Sequence, residues 1–233
     1  MNTAFPFERT DGYLHSQIRP TRSSAAPRPT PPFVTISREA GSGGSSLARV
    51  LARKLNSTSA RDVFWRVYEE NLTPRMLEAE HLSRSLARYL PEDRMAEPNA
   101  TLGEYLGLHP NLWELVQKTN QALRDLARTG NAIFVGRGAN FATATVEDGV
   151  HVRLIGSVDS RARFLAAQYN ISEAEARKLN EECEARRRRY VRATFDADID
   201  DPYAYDLIIN TGKVSLADAA EMIVARVRQL EQR

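Results

Sequence analysis

The sequence predicts an α/β fold, a parallel sheet covered by helices on both faces, from three observations. Short aliphatic runs recur at residues 33–37 (FVTIS), 131–139 (NAIFVGRGA), 150–157 (VHVRLIGS) and 205–211 (YDLIINT), each the length and composition of a buried strand. Helical stretches separate them, and strands alternating with helices are the pattern of a parallel sheet. The first two runs end in glycine turns, and the carboxyl ends of parallel strands are where such sheets hold ligands.

Residues 1–32 hold Pro6, Pro20, Pro27, Pro29, Pro31 and Pro32 among Ser, Thr and Arg, so neither a helix nor a strand ladder can continue there. They are expected to be a disordered tail, either a flexible leader or a docking segment for a protein partner. The domain is expected to span 33–233. After the first strand, Leu47, Val50, Leu51 and Leu55 repeat at helical spacing. Residues 62–128 read as mostly helical, broken near Pro74, Pro91, Pro98 and Pro110. A helix is expected over 159–169. From Ser172, with Glu173 and Glu175 in capping positions, a long charged helix follows. The chain closes on an amphipathic helix, SLADAAEMIVARVRQLEQR.

With 233 residues and 42% hydrophobic content, the chain can bury a real core. Its 32 basic and 30 acidic residues nearly cancel, which gives no argument for a nucleic-acid or membrane partner but leaves room for a local arginine cluster. No apolar run approaches the roughly 20 residues that span a bilayer. The single cysteine, Cys183, excludes an intrachain disulfide framework and reads as an inert thiol on a charged helix. With no secretory signal visible, the cytoplasm is the expected location. The four histidines show no ligand spacing, so no zinc site is expected. The DADIDD run fails as a calcium loop, because its sixth position is Asp201 and its twelfth Leu207.

The stretch TISREAGSGGSSLARVLARKL carries the chemistry. A phosphate loop, G-x-x-x-x-G-K-[ST], works through inward backbone N–H groups, a lysine on the outer phosphates and a hydroxyl on Mg²⁺. Gly41, Ser42, Gly43 and Gly44 supply the pliant backbone, Ser45 and Ser46 supply hydroxyls, and the helix that starts here points its positive end at any phosphate. The lysine position falls on Gly44, so positive charge has to come from elsewhere, with Arg38 nearest in sequence.

Together with IFVGRGAN and YDLIINTGKVSLADAAEMI, this stretch resembles the cytidylate kinase-like family, a branch of the nucleoside monophosphate kinases with SREYGSGG-like, lysine-free loops. The resemblance implies a P-loop NTPase-type three-layer sandwich, with a helical acceptor-binding insertion near residues 60–125 and an arginine-rich lid near 172–204. It implies ATP and Mg²⁺ as cofactors, Mg²⁺ meeting Ser45 or Ser46. It also implies that Arg137, in VGRGA, grips the acceptor phosphate, with Asp62, Arg161 and Asp206 as further substrate-binding positions. The lid would correspond to ARRRRYVR. Successive helical residues point about 100° apart, so at most one or two of these arginines reach a phosphate, and Arg188 with Arg192 shares a face. A solvated helix laced by Glu182–Arg186 and Glu184–Arg188 pairs is the rival reading of that segment. The aromatic residues Trp65, Tyr68, Tyr89, Tyr105 and Trp113 of the insertion read as core before base platform.

The expected function is transfer of the γ-phosphate of ATP to a nucleoside monophosphate, CMP or dCMP by resemblance. Two alternatives stand: a nucleotide-binding regulator with little turnover, and a kinase for a non-nucleotide acceptor.

Overall fold

The computed structural model describes residues 30–58, 64–69 and 110–232. In chain order the elements are β1 (Phe33–Arg38), α1 (Gly44–Thr58), β2 (Arg66–Tyr68), α2 (Pro110–Thr129), β3 (Ala132–Val135), α3 (Ala139–Ala142), β4 (Gly149–Ile155), α4 (Val158–Tyr169), α5 (Glu173–Phe195), a 3₁₀ turn (Pro202–Ala204), β5 (Leu207–Asn210) and α6 (Leu216–Glu231). The five strands form one sheet in the order β2-β3-β1-β4-β5, with every pairing parallel.

One detail departs from the sequence reading. Residues Arg66–Tyr68, expected within a mostly helical stretch, form the edge strand β2 in register with Ala132–Phe134. Its three residues are exposed or half-buried, so no apolar run announces it. Asp62, expected as a substrate-binding position, lies outside the described residues. Most of the proposed insertion and the tail also fall outside them.

Alternation along the strands sorts the two faces. Val34 and Ile36 of β1, Ile133 of β3 and Val152 and Leu154 of β4 face one way, onto Leu47 and Leu51 of α1 and Ile223 and Val227 of α6, all fully buried. Burying each such side chain stabilises the fold by about 1.5–3 kcal/mol. The other face is apolar only at its amino end. There Phe33 meets Phe134 edge-on at 6.3 Å, and both pack on Leu123 and Ala127 of α2. Towards the carboxyl end that face turns polar, with Thr35, Ser37 and Arg153 all buried. Trp65 is core, 5% exposed, with its backbone N–H and carbonyl clipped by the Asn56 amide.

The helix starts follow the expected chemistry. Ser157, Ser172 and Ser215 each accept a backbone N–H three residues on, and Ser172 with Glu175 completes a capping box. Among the described residues no helix is long and apolar enough to cross a membrane.

Candidate functional site

The connection from β1 runs to one side of the sheet and that from β4 to the other, so the topological switch point lies between these two neighbours. Ligands of open α/β sheets sit beyond the carboxyl ends of the strands at such a point. The glycine loop, residues 39–43, occupies it and opens directly into α1. Gly41 and Gly43 have φ of +76° and +83°, a region L side chains rarely adopt. Both are also hemmed in: a Cβ on Gly41 would stand 2.5 Å from the carbonyl oxygen of Arg161, and one on Gly43 would meet Leu216 at 3.3 Å. The buried Ser42 hydroxyl donates to the Glu39 carbonyl at 2.7 Å, closing the turn. The first backbone bond of α1 runs from Leu47 N–H to the Gly43 carbonyl, so the amides of Gly44, Ser45 and Ser46 precede the helical ladder at its positive end.

Gly44 stands at the sequence position of a phosphate loop's lysine, and the stem of Arg38 packs against it. Arg38 is the last residue of β1, and its stem crosses Gly44 so closely that a Cβ there would lie 2.9 Å from Arg38 Cγ.

Arg161, on the first turn of α4, is 6% exposed and ties the loop to its surroundings. It donates from Nε to the Gly156 carbonyl at 2.9 Å and from Nη1 to the Ala40 carbonyl at 3.0 Å. It also pairs with Glu39 at 3.3 Å and with Glu184 of α5. Glu39 in turn accepts the Gly156 N–H at 2.8 Å. The guanidinium is therefore engaged by protein groups on several sides, which makes it a brace beneath the loop.

Arg137 lies in the turn after β3, where Gly136, Arg137 and Gly138 have φ of 76°, 57° and 60° in succession. A non-glycine residue held this way costs on the order of 1–3 kcal/mol and persists only where its surroundings dictate it. Here the Gly136 N–H donates to the Ile36 carbonyl at 3.0 Å, and Phe195, the last residue of α5, fills the space a Cβ on Gly138 would need. Arg137 itself is 8% exposed. The turn thus joins the end of β1, the end of α5 and one buried guanidinium.

The lid arginines divide differently from the expected pairing. Arg188 donates from Nε to Asp200 at 2.7 Å and lies 3.9 Å from Glu184, whereas Arg192 projects outward, 70% exposed, near Asp196 at 3.7 Å. Arg187 turns inward instead; 7% exposed, it donates to the Arg38 carbonyl at 3.2 Å. The inward face of α5 is written in its buried positions Ala176, Asn180, Arg187, Tyr190 and Val191, and counting four back from Val191 would have found Arg187. Sequence reasoning also missed Arg153, 5% exposed on β4, which donates to Ser37 at 2.9 Å and pairs with Asp200 at 2.5 Å. A charged residue within a buried strand run was its signal.

Asp206 sits at the amino end of β5, away from the crevice. It accepts the His151 N–H and returns its own N–H to the His151 carbonyl, both at 2.7 Å, as a strand-entry clip. The Cys183 thiol receives an N–H from Arg186 at 2.9 Å. In the DADIDD run, Asp198 and Asp201 accept backbone N–H groups two residues on, as turn residues do.

A parallel α/β domain whose glycine loop opens a helix at the switch point defines a phosphate-binding nucleotide fold. Sequence comparison specifies which: the profile of the Cytidylate kinase-like family matches residues 33–213. The chain belongs to the cytidylate kinase-like family of nucleotide kinases. The cytidylate kinase of Methanothrix thermoacetophila is 32% identical over 207 residues, covering 85% of this chain and 99% of that protein. That of Pyrobaculum arsenaticum is 27% identical over 194 residues, covering 82% and 90%. Among solved structures, an uncharacterized protein from Eubacterium ventriosum matches with a TM-score of 0.63 at 18% identity, over 88% of this chain and 100% of that one, a likeness of fold.

Proposed function

We propose that this protein transfers the γ-phosphate of Mg-ATP to a nucleoside monophosphate, CMP or dCMP. The observation that carries the reading is the crevice itself: a lysine-free glycine loop at the head of α1, with Arg38 lying across the position a lysine would hold. Phosphoryl transfer asks little of a protein beyond alignment and charge compensation, so arginines can supply what one lysine supplies elsewhere.

In this reading the amides of residues 41–46 cradle the donor phosphates, and Arg38 meets their outer oxygens. Arg137 grips the acceptor phosphate, for which a planar two-pronged donor is well shaped. Arg188 closes from the lid of residues 172–204, excluding water as it does so. Arg192 points away and joins only if the lid shifts; Arg161 braces the loop and reaches substrate through it. The acceptor's base is read by the insertion of residues 60–125, including Asp62.

Mg²⁺ commonly keeps one or two protein ligands, with phosphates and waters filling the rest of its shell. The loop fits that habit: Ser45 and Ser46 are half-buried hydroxyls on the first turn of α1, and among the described residues no cluster of three or more His, Cys, Asp or Glu offers a cage. When bound, the ion offsets charge on the outer phosphates.

The test is incubation of the full chain with Mg-ATP and, separately, CMP, dCMP, UMP, AMP and GMP, following diphosphates by chromatography. CDP or dCDP is expected, with kcat/KM for the acceptor reduced at least about tenfold in Arg137→Ala. Tight ATP binding with no transfer to any acceptor would favour a regulator, and transfer only to a non-nucleotide would move the acceptor assignment.

A further inference from the structure

Six charged side chains form one alternating chain across the crevice: Arg153, Asp200, Arg188, Glu184, Arg161 and Glu39. It starts on β4, passes through the loop after α5 to α5 itself, crosses to α4 and ends in the glycine loop. Its closest links are Arg153–Asp200 and Arg188–Asp200 on one side and Arg161–Glu184 on the other. Between Arg188 and Glu184 the separation is 3.9 Å, the loosest of the set.

Asp200 is the link that neither the functional reading nor the family assignment uses. One carboxylate oxygen holds Arg153 at 2.5 Å and the other holds Arg188 at 2.7 Å. Arg153 is a fixed post. Its side chain is 6% exposed, its other amino group donates to Ser37 of β1, and its guanidinium lies 5.8 Å from the centre of the Tyr205 ring. Tyr205 is pinned as well, donating to the Ile199 carbonyl at 2.7 Å. Arg188 is the opposite case, half-exposed on a long flexible stem. A carboxylate bound to a rigid arginine on one side therefore immobilises a mobile arginine on the other.

The edge of Arg188 that Asp200 takes matters. It is the Nε edge, so the terminal amino groups keep the two-pronged face that suits a phosphate. That guanidinium stands near enough to Glu39, at the foot of the glycine loop, to feel its charge, and the neighbouring Arg187 touches the last residue of β1. Burial alone would raise the Asp200 pKa, but the hydrogen bonds and charges of Arg188 and Arg153 outweigh it and keep the carboxylate ionised below the ordinary range.

We propose that Asp200 is a positioning residue of the lid: anchored on buried Arg153, it holds Arg188 by Nε and so presents the Arg188 fork to the transferring phosphate. This rests on the reading of Arg188 as the lid arginine of a phosphotransferase. A misplaced group costs turnover more than ground-state affinity, and a displacement of about 1 Å can cost about a hundredfold.

The experiment is a double-mutant cycle of Asp200→Asn and Arg188→Ala in the full chain, with Asp200→Glu as rescue and the Arg188 Nε–H proton followed by NMR. Asp200→Asn is expected to lower kcat by about tenfold or more while the acceptor KM stays within about threefold. Added to Arg188→Ala it should have no further effect. The Arg188 Nε–H resonance, slow to exchange in the wild type, should be lost in Asp200→Asn and return in Asp200→Glu together with part of the rate. Equal losses in both backgrounds would overturn the proposal, as would a rise in turnover or in ADP affinity, which would make Asp200 a competitor of phosphate. Should Asp200→Asn fail to fold, Asp200→Glu carries the same cycle: an effect that persists without Arg188 overturns it. If the wild type transfers phosphate to no acceptor, the functional reading fails on its own, and the Nε–H signal decides whether Asp200 holds Arg188.

Discussion

The stem of Arg38 crosses Gly44 so closely that a Cβ on the glycine would lie 2.9 Å from Arg38 Cγ. The two positions share one volume: a side chain grows either from the first residue of α1 or from the last residue of β1, and here it grows from the strand. The position that lacks a lysine is thus covered by the stem of an arginine from the neighbouring strand.

Gly44→Ala separates the roles of that space. Alanine gains up to about 1 kcal/mol of helix propensity over glycine, which offsets part of the crowding, so thermal stability should change little. Mg-ATP affinity should fall about tenfold, because Arg38 must move off its position. Unchanged affinity by calorimetry would show that the Arg38 stem does not shape the donor site.

Glu184→Gln tests the brace under the loop. Arg161 and Glu184 are 7% and 15% exposed, and removing one partner of a buried pair is costly, though Arg161 keeps Glu39 at 3.3 Å. A loss of about 2 kcal/mol is expected, which for a domain of this size lowers Tm by roughly 4–8 °C. A Tm within about 1 °C of the wild type would mean the pair adds nothing to the fold.

How much of this was legible in the sequence depended on whether the signal was local. The loop, four of the five strands and the capped start of α5 were legible, because a β-branched run, a glycine or a Ser-x-x-Glu needs no distant partner to be interpreted. The edge strand β2 was not: three half-exposed residues carry no periodicity. The inward phase of α5 was hidden for a different reason. Four adjacent arginines fill every direction around a helix, and only Val191 and Tyr190, packed on Ile199, set the phase that buries Arg187. Arg153 and Asp200 were invisible as a pair, since 47 residues separate them and only the fold brings them together.

His151 gives the fold a pH dependence of definite sign. Burial pushes its pKa below the ordinary value of 6.5, opposed by the nearby Asp206 carboxylate, and its Nδ1 lies 2.8 Å from the Thr35 hydroxyl. The folded protein therefore binds a proton less readily than the unfolded chain. Its contribution is complete above the unfolded value and is lost as pH falls through 6.5 towards the folded value. Denaturation midpoints should fall more steeply between about pH 7 and pH 5 in the wild type than in His151→Gln. Parallel slopes would assign the acid sensitivity to other groups.

Whether a lysine-free loop with Arg38 beside it is a working phosphate site is read from the rate of CDP formation from Mg-ATP and CMP in the wild type and in Arg38→Ala. CDP is expected from the wild type, with a loss of about a hundredfold in kcat in a variant that still melts cooperatively. Full activity in Arg38→Ala, or a wild type that binds Mg-ATP and makes diphosphate from no acceptor, would contradict it.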